Sequence, residues 1–393
     1  MNALLDLEDA QARLLALAPL LPPISVPTEA TLGCIIAEDI RAARNQPAAD
    51  LSAMDGYAVA AGDGPWKVVG ESRAGAPFAD NLGPGECVRI STGAIVPGGG
   101  DCVLLQEDAV RSGDFVSTTD LPPPGHHIRA RGFDFSRGDR LLACGTRMTA
   151  GRMALTVAAG HNAVTVTRPV RVAVMDCGDE LARDPGQCLP HQVPASNAAM
   201  IAAMLAPLGC DVTRIGPVPD DRSALAAALI EAEGADILIT SGGVSVGDHD
   251  LIKPALTDWG AQIAFWKVAI KPGKPLLVAT RGAQVVLGLP GNPVSSFVTA
   301  FLFALPLVRA SQSDPEPLPR SKILHVSEDL PAVGPRREFL RAVSDGHSVR
   351  LAGSQDSSAL TALAAANCLI DRPAGAEAVV AGDNVPVFWL QNG

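Results

Sequence analysis

From about residue 168 to residue 310, runs of β-branched residues alternate with helical periods rich in alanine and leucine. The strand-like runs are VRVAV (170–174), DVTRI (211–215), DILIT (236–240) and the apolar stretches 262–270, 276–280 and 284–289. The helical periods are 196–205, which Ser196 or Asn197 would cap, 222–233, 251–259 and a closing helix after Pro293. This alternation predicts a doubly wound, mostly parallel α/β domain over 168–311. Ligands of such sheets lie beyond the carboxyl ends of the strands.

The flanking segments have different patterns. Between 41 and 139, short strands such as WKVVG and ECVRIST alternate with Gly and Pro turns, which predicts a β-rich domain. The segments 1–40 and 140–166 are rich in Leu and Ala, so we expect one helical domain that is discontinuous in sequence. After a proline-rich linker, brief alternating runs over 318–393 predict a small β-barrel. The chain is therefore expected to form four domains.

The charge balance limits the partners of the protein. Acidic residues number 42 against 31 basic ones, the sequence pI is about 5.1, and no run of basic residues occurs. The long-range field therefore repels polyanions, and we expect neither nucleic acid nor an anionic membrane as a partner. The N-terminal segment lacks the basic region of a signal peptide, and the eight cysteines are scattered singly. These features predict a cytoplasmic protein with reduced thiols.

Lysine is concentrated in one part of the chain. Only six of the 31 basic residues are lysines, and four of the six lie between 253 and 274. Either this is a chance feature of a solvated face, or a compact and flexible charge is needed there that the planar fork of arginine does not replace. Composition alone favours neither interpretation.

The loop SGGVSVGDHD (241–250) directly follows the DILIT strand. It offers backbone amides, hydroxyls and carboxylates from Gly242, Gly243, Gly247, Ser241, Ser245, Asp248 and Asp250. Amides and hydroxyls suit a phosphate, and carboxylates suit a hard cation. The alternative is that the glycines only make a tight turn and the acids cap the next helix.

Two other strand ends are expected at the same edge of the sheet, DCGDEL (176–181) and GLPGNPVSS (288–296). The second brings Ser295 into the first turn of a helix, where free N–H groups attract an anion. Nearby, IKPGKP places Lys271 and Lys274 beside prolines that stiffen the backbone. Together these loops predict a pocket for a phosphorylated ligand and a divalent cation.

Six motifs carry a resemblance to a known family. They are SAMDGYAV (52–59), RISTGAIVP (89–97), SGGVSVGDHD (241–250), AFWKVAIKPGKP (264–275), GLPGNPVSS (288–296) and QDSSALTALAAAN (355–367). Together they are similar to the molybdopterin molybdenumtransferases, which include the gephyrin E domain. The match runs in order from about residue 5 to residue 390, which makes it specific.

The resemblance implies that molybdate is inserted into adenylated molybdopterin and that AMP is released with the help of Mg²⁺. It also implies an elongated homodimer whose active site lies between the α/β domain of one subunit and the β-rich domain of the other. A molybdopterin adenylyltransferase or a client molybdoenzyme would be a partner.

The same resemblance assigns residues to the site. Catalytic roles fall to Asp55, Thr92, Asp134, Glu180, Asp220, Asp250, Lys271 and Lys274. Substrate binding falls to the glycine loop and to Pro290, Gly291, Asn292, Pro293, Ser295, Arg337, Ser357 and Ser358. Of these, Arg337 and Ser357 or Ser358 would approach the oxyanion. Glu180, Asp248 and Asp250 are the expected metal ligands.

Four positions depart from the family pattern. Leu51 replaces a residue that is usually polar, Phe133 replaces an acidic residue, Ala195 replaces an aspartate and Ala365 replaces an arginine. These departures keep a second hypothesis open, a non-catalytic paralogue that binds and delivers molybdopterin or the finished cofactor. A third, a nucleotide hydrolase that uses only the α/β domain, leaves 41–139 and 318–393 without a purpose. The carboxylates and lysines of the motifs favour the transferase.

Overall fold

The computed structural model describes residues 4–243 and 251–390. Its α/β domain contains a six-stranded sheet in the order Asp211–Val218, Arg171–Cys177, Ile237–Ser241, Gln284–Leu289, Leu277–Arg281 and Gln262–Trp266. The first four strands are parallel, and each of the last two runs antiparallel to the strand before it. The predicted mostly parallel sheet is therefore confirmed.

Helices cover both faces of this sheet. Alternate residues of one strand point to opposite faces, so Val172 and Val174 pack with helix Asn197–Leu205, while Met175 packs with helix Arg222–Glu231. Helix Ile252–Asp258 joins the second face. The predicted helices are thus confirmed to within a few residues at each end.

The closing helical run covers Pro293–Ser311 as Pro293–Thr299, a π-helical turn Ala300–Ala304 and Leu305–Ser311. By length and composition it is the one helix among the described residues that could cross a membrane, and 89% of its most apolar window is buried inside the protein. Its side chains pack against the sheet and against the first helix, Leu7–Leu15.

The β-rich domain contains a second six-stranded sheet, in the order Gly100–Leu105, Gly56–Ala60, Glu86–Ile90, Trp66–Ser72, Phe115–Ser117 and Val110–Ser112. A short pairing of Leu51–Ser52 with Ile128–Arg129 lies beside it. Separate apolar clusters cover its two faces, one around Val88 and the other around Trp66. The alternating short strands of the sequence produce this two-sided packing.

The segments on either side of the β-rich domain do come together. Pro23–Pro27 pairs with Ala163–Thr167, and Ile40–Arg41 pairs with Arg140–Leu142. Helix Ala150–Ala158 belongs to this region, whereas the first helix packs on the α/β core through Leu7, Ala10 and Leu14. The pairing strands are rich in Val, Ile and Thr, which favour strands over helices.

The C-terminal residues form a closed five-stranded barrel, as the alternating runs predict. Its strands follow the order Arg337–Ser344, Ser348–Leu351, Ser321–Val326, Asn384–Trp389 and Cys368–Arg372, which pairs again with the first. A short helix, Leu360–Ala365, lies outside the barrel strands. The strand Ile270–Lys271 of the α/β domain pairs with Arg337 and Glu338, so the two domains share backbone hydrogen bonds.

Candidate functional site

The three predicted loops do meet at the carboxyl edge of the α/β sheet. Asp176, Ser241 and Leu289 are register partners on adjacent parallel strands. Gly242 has φ +94°, and a Cβ there would lie 2.3 Å from the carbonyl oxygen of Cys177. Only glycine therefore lets the loop turn so close to the neighbouring strand. Ser245, Gly247, Asp248 and Asp250 lie outside the described residues.

The hydroxyl of Ser241 is engaged inside the protein. Its Oγ accepts a hydrogen bond of 2.8 Å from Nδ2 of Asn197 and lies 3.5 Å from Oγ of Ser296. The same amide of Asn197 donates to the carbonyl oxygen of Gly291 at 2.7 Å. Asn197 thus joins the glycine loop to the turn that contains Pro290, Gly291, Asn292 and Pro293.

A cavity of about 540 Å³ lies where the α/β domain meets the barrel. We call it the basic cavity, because its lining includes Lys271, Lys274, Arg336, Arg341 and Arg372 together with Ser295 and Ser357. The lysine turn depends on Gly273, which has φ +107° and whose Cβ would lie 2.5 Å from Cγ2 of Thr299. The lysine pair is therefore brought to the junction of two domains.

Two buried arginines in this lining have free donors. Arg341 is 1% exposed and donates from Nη2 to the carbonyl oxygens of Ser354 (3.1 Å) and Asp356 (2.9 Å). Among the residues that the structure describes, its Nε has no hydrogen-bond partner, and neither has Nη1 of Arg372. Burial lowers the pKa of both guanidinium groups, yet arginine remains charged. An unsatisfied buried donor costs about 1–3 kcal/mol, so an anion that accepts these hydrogen bonds is favoured.

The four clustered lysines divide into two pairs. Nζ of Lys271 forms an ion pair with Oε1 of Glu338 at 2.9 Å. Lys274 is exposed and makes no side-chain hydrogen bond or ion pair in the described part of the chain. Lys253 and Lys267 instead lie over the ring of Trp266, each with Nζ 3.9 Å from its centroid. Lys274 therefore offers the basic cavity a charge that no described residue pairs.

Arg337 does not line the basic cavity, contrary to its expected approach to the oxyanion. Its Nη2 lies 2.6 Å from Oδ2 of Asp371, and its Nη1 donates to Glu8. These hydrogen bonds raise the pKa of Arg337 and hold its guanidinium away from the cavity. Arg341, four residues further along the same strand, lies there instead.

Of the two candidate serines, Ser357 lines the cavity. Its Oγ accepts a hydrogen bond of 2.9 Å from Nδ2 of Asn292, across the domain junction. The hydroxyl of Ser358 donates to Oδ1 of Asp356 at 2.6 Å, so it caps its own turn. Only Ser357 therefore has a side chain directed to the junction.

The acidic residues of the carboxyl edge lie near one thiol. Burial, and then the charges of Asp176, Asp220 and Glu180, raise the pKa of Cys177. The backbone N–H of Asp220 also donates to Oδ1 of Asp179 at 3.0 Å. Within 4–243 and 251–390, no group of three His, Cys, Asp or Glu side chains is set as a metal site. The expected ligands Asp248 and Asp250 lie between these ranges.

The predicted residues of the β-rich domain form a smaller group. Oδ1 of Asp55 accepts hydrogen bonds from the backbone N–H (2.7 Å) and the hydroxyl (3.2 Å) of Thr92. Asp134 is exposed, and its backbone N–H donates to the carbonyl oxygen of Gln46 at 2.9 Å. The lining of the basic cavity includes no residue of 41–139. Asp55 and Thr92 therefore meet each other but not the lysine pair of the same chain.

Asp176 is a residue whose importance the sequence did not reveal. Ser196 has φ −103° and ψ −21°, and its side chain makes no capping hydrogen bond to helix Asn197–Leu205. Oδ2 of Asp176 instead accepts from the backbone N–H of Ala198 at 3.0 Å. Ser196 therefore occupies the predicted N-cap position, but the capping hydrogen bond comes from the carboxylate of Asp176 at the end of a strand and not from the side chain of Ser196. Burial raises the pKa of Asp176, against the opposing effects of this hydrogen bond and of Arg214.

Comparison with known proteins agrees with this architecture. The MoeA N-terminal region (domain I and II) matches residues 5–160, a probable molybdopterin binding domain matches 173–310, and the MoeA C-terminal region (domain IV) matches 324–390. In its crystal structure, the molybdopterin biosynthesis MoeA protein of Pyrococcus horikoshii is 28% identical to this chain, with a TM-score of 0.80 and 99% of each chain covered. The fold is thus that of a four-part protein built around a molybdopterin-binding domain.

Curated relatives define the family. A molybdopterin molybdenumtransferase of Haemophilus influenzae is 35% identical over 365 residues, which cover 90% of each chain. That of Bacillus subtilis is 33% identical over 384 residues, covering 93% of this chain and 89% of the relative. The chain belongs to the molybdopterin molybdenumtransferase family.

Proposed function

We propose that this protein inserts molybdate into adenylated molybdopterin and releases AMP. The observation that carries the proposal is the basic cavity, in which the buried guanidinium groups of Arg341 and Arg372 retain unpartnered donors. Family membership supports the same reaction. Molybdate is a tetrahedral dianion similar in size to phosphate, so fixed ammonium and guanidinium donors suit both through charge-assisted hydrogen bonds.

The residues of the cavity have distinct roles in this proposal. Arg341 and Arg372 are buried and fixed, so they orient the oxyanion, while the exposed Lys274 meets it as a mobile charge. Ser295 and Ser357 add neutral hydroxyl donors at the same wall. Since none of these groups must act as a covalent nucleophile, positioning and charge neutralisation account for catalysis.

We propose that the carboxyl edge of the sheet binds Mg²⁺. Carboxylates are hard oxygen ligands, and the negative charges of Asp220 and Glu180 both contribute to the raised pKa of the buried Cys177 at this edge. We propose that these two residues hold the ion together with Asp248 and Asp250. When bound, Mg²⁺ would neutralise charge on the phosphates of the substrate.

We further propose a homodimer with a shared site. The pair Asp55 and Thr92 lies outside the basic cavity of its own chain, which supports a site completed by the β-rich domain of a second subunit. The substrate would come from an enzyme that transfers adenylate to molybdopterin, and the product would pass to a client molybdoenzyme. All eight cysteines are free, which supports a reducing compartment, and we place the reaction in the cytoplasm.

The oxyanion assignment is tested by the molybdate dependence of adenylate release at fixed Mg²⁺ and substrate. Loss of one charge-assisted hydrogen bond in Lys274→Ala should weaken apparent molybdate affinity by about 10- to 150-fold. High molybdate should partly rescue the rate. Lys274→Arg should restore function only in part, because its planar fork presents donors differently. Lys322→Ala, which removes an exposed lysine of the barrel, is the matched control.

The result separates the proposed transferase from a binding protein. An unchanged molybdate dependence in Lys274→Ala would move the oxyanion site elsewhere in the cavity. If the natural protein binds adenylated molybdopterin but releases no adenylate with molybdate and Mg²⁺, the transferase proposal fails and a delivery role replaces it.

The shared site is tested by mixing Asp55→Ala with Lys274→Ala at low molybdate. Each variant spoils one half of the composite site, so a mixed dimer retains one intact site. With random subunit exchange, about one quarter of all sites should recover. If exchange is verified and activity stays at the level of the separate variants, the site lies within one chain.

A further inference from the structure

A second cavity, of about 360 Å³, lies at the carboxyl edge of strands Arg171–Cys177 and Asp211–Val218. Its volume falls in the range of about 300–1,000 Å³ typical of ligand pockets. Asp176 forms part of its lining together with Arg183, Arg214, Ala195, Ala198 and Ala199. None of these residues lines the basic cavity. We call it the Asp176 cavity.

Asp176 brings an unsatisfied acceptor into this cavity. The residue is 3% exposed, and its Oδ2 is engaged by the backbone N–H of Ala198. Its Oδ1 is buried and has no hydrogen-bond partner within the described ranges 4–243 and 251–390. Burying a polar atom without a partner is costly. A ligand with an N–H donor would remove that cost.

Ala195 lies in the same lining, where the family pattern has an aspartate. The short parallel pair Leu181–Ala182 and Val193–Pro194 brings it there, because the backbone N–H of Ala195 donates to the carbonyl oxygen of Ala182 at 3.0 Å. This chain therefore has no carboxylate on the loop side of the cavity but has a buried one on the strand side. The methyl groups of Ala195, Ala198 and Ala199 supply apolar contacts within a lining that is otherwise largely polar.

The opening of the cavity carries positive charge. Arg183 and Arg214 are exposed, and their side chains make no hydrogen bond or ion pair with the residues that the structure describes. Guanidinium groups stack on flat rings and bind phosphate oxygens. A flat, donor-bearing ring with an anionic substituent therefore complements the buried acceptor of Asp176, the alanine methyl groups and the two arginines of the lining.

We propose that Asp176 supplies the carboxylate that Ala195 lacks, and that the Asp176 cavity binds a 2-amino-4-oxopyrimidine ring through its N–H and amino donors. The choice of a pterin as the molecule that carries this ring rests on the proposed function. The cavity lies within the residues that match a probable molybdopterin binding domain. Guanine presents the same hydrogen-bonding edge, so the test must compare the two.

The experiment is a fluorescence titration of the full-length protein with 6-hydroxymethylpterin, with GMP in a parallel titration. Asp176→Asn keeps an oxygen for the N–H of Ala198 but replaces the free acceptor by a donor. It should weaken pterin binding by about 10- to 150-fold. Ala195→Asp alone should change binding less than about tenfold. The double variant Asp176→Asn/Ala195→Asp should return to within about tenfold of the natural protein.

A second variant leaves Asp176 untouched. Ala199→Leu fills the cavity from an exposed helix position, where leucine is a good helix former, and it should abolish pterin binding. Ala226→Leu, at an exposed position of helix Arg222–Glu231, and Arg350→Gln, on the barrel, are controls that should leave binding unchanged.

The outcomes are distinct. Pterin binding unchanged in both Asp176→Asn and Ala199→Leu, with normal thermal unfolding, would mean that Asp176 only caps a helix, and the inference would fall. Tight GMP binding without pterin binding would also overturn it, in favour of a nucleotide subsite. Since the titration needs neither molybdate nor turnover, pterin binding in a protein that releases no adenylate would support this inference and count against the transferase function.

Discussion

The two edges of the α/β sheet differ in how their charged side chains are paired. At the amino edge, Arg168 and Arg171 surround the buried Asp236. Its two carboxylate oxygens accept from Arg168 at 2.8 and 2.9 Å and from Nη2 and the backbone N–H of Arg171 at 3.1 and 2.8 Å. Each of these three charged side chains has a partner within the cluster, and no cavity is needed to explain the arrangement.

At the carboxyl edge and the adjoining barrel, charged groups are left without partners. Oδ1 of Asp176 and Nε of Arg341 are buried and unbonded, and Lys274 has no described ion pair. A folded chain seldom retains such groups, because each one lowers stability. The difference indicates that the charged side chains of the amino edge stabilise the fold, whereas those of the carboxyl edge are available to bind a ligand.

The largest effect is expected at the amino edge, from Asp236→Ala. The change leaves two arginines facing each other without their anion, one of them half exposed. Breaking such a pair should lower the free energy of unfolding by about 3 kcal/mol, measured by urea denaturation at pH 7. The molybdate dependence of adenylate release should not change. Asp211→Ala, an exposed acid on the same edge, should cost less than about 0.5 kcal/mol.

The pH dependence of that stability has a definite sign. Burial would raise the pKa of Asp236, but hydrogen bonds from Arg168 and Arg171 outweigh it and hold the pKa below its usual value. A lowered pKa stabilises the native state above the unfolded value, and the contribution disappears as pH falls through the folded one. The gap in unfolding free energy between the natural protein and Asp236→Ala should therefore be constant above about pH 5 and shrink below about pH 4. A gap that widens in acid would contradict this sign.

At the other edge, Arg341→Met should reduce molybdate affinity more than it reduces the free energy of unfolding. Methionine fills much of the buried volume, but the cavity loses a fixed donor, so molybdate affinity should fall by about 10- to 150-fold. The unfolding free energy should fall by less than in Asp236→Ala, since the change leaves only the neutral carbonyl oxygens of Ser354 and Asp356 without their donor and no buried charge without its partner. Urea denaturation and adenylate release on the same preparation measure both quantities. A large loss of stability with unchanged molybdate affinity would remove the contrast between the edges.

The local pattern of apolar and polar residues is sufficient to predict most of the fold. The strands and helices of the α/β domain follow from β-branched runs alternating with Ala- and Leu-rich periods, and the barrel follows from its alternating runs. The meeting of Asp176, Ser241 and Leu289 also followed, because parallel strands end at a common edge. The strands Pro23–Pro27 and Ala163–Thr167 were obscured by the helical composition around them.

Long-range contacts were not visible in the pattern. Arg337 and Arg341 are four residues apart on one strand and so share a face. What separates them is that Arg337 bonds Glu8, 329 residues away, and Asp371, 34 residues away. In the same way, the helix start at Asn197 is capped by a carboxylate from another strand instead of its own serine. Such partners depend on the tertiary fold, which local periodicity does not encode.

The smallest predicted effect concerns Glu338, which forms the ion pair with Lys271 in the lining of the basic cavity. Glu338→Gln removes a negative charge from the lining and frees Lys271, so molybdate affinity should rise. Lys271 is more than half exposed and loses the partner that orients it, which limits the gain to about 1 kcal/mol, or roughly fivefold.

Adenylate release against molybdate should be compared at low and high salt, since added salt screens the exposed charge and should reduce the gain. Glu231→Gln, which alters the net charge equally at an exposed position, should leave affinity unchanged. Weaker molybdate binding in Glu338→Gln would mean instead that the ion pair holds Lys271 in its binding position, and the basic cavity would then depend on a paired charge as the amino edge does.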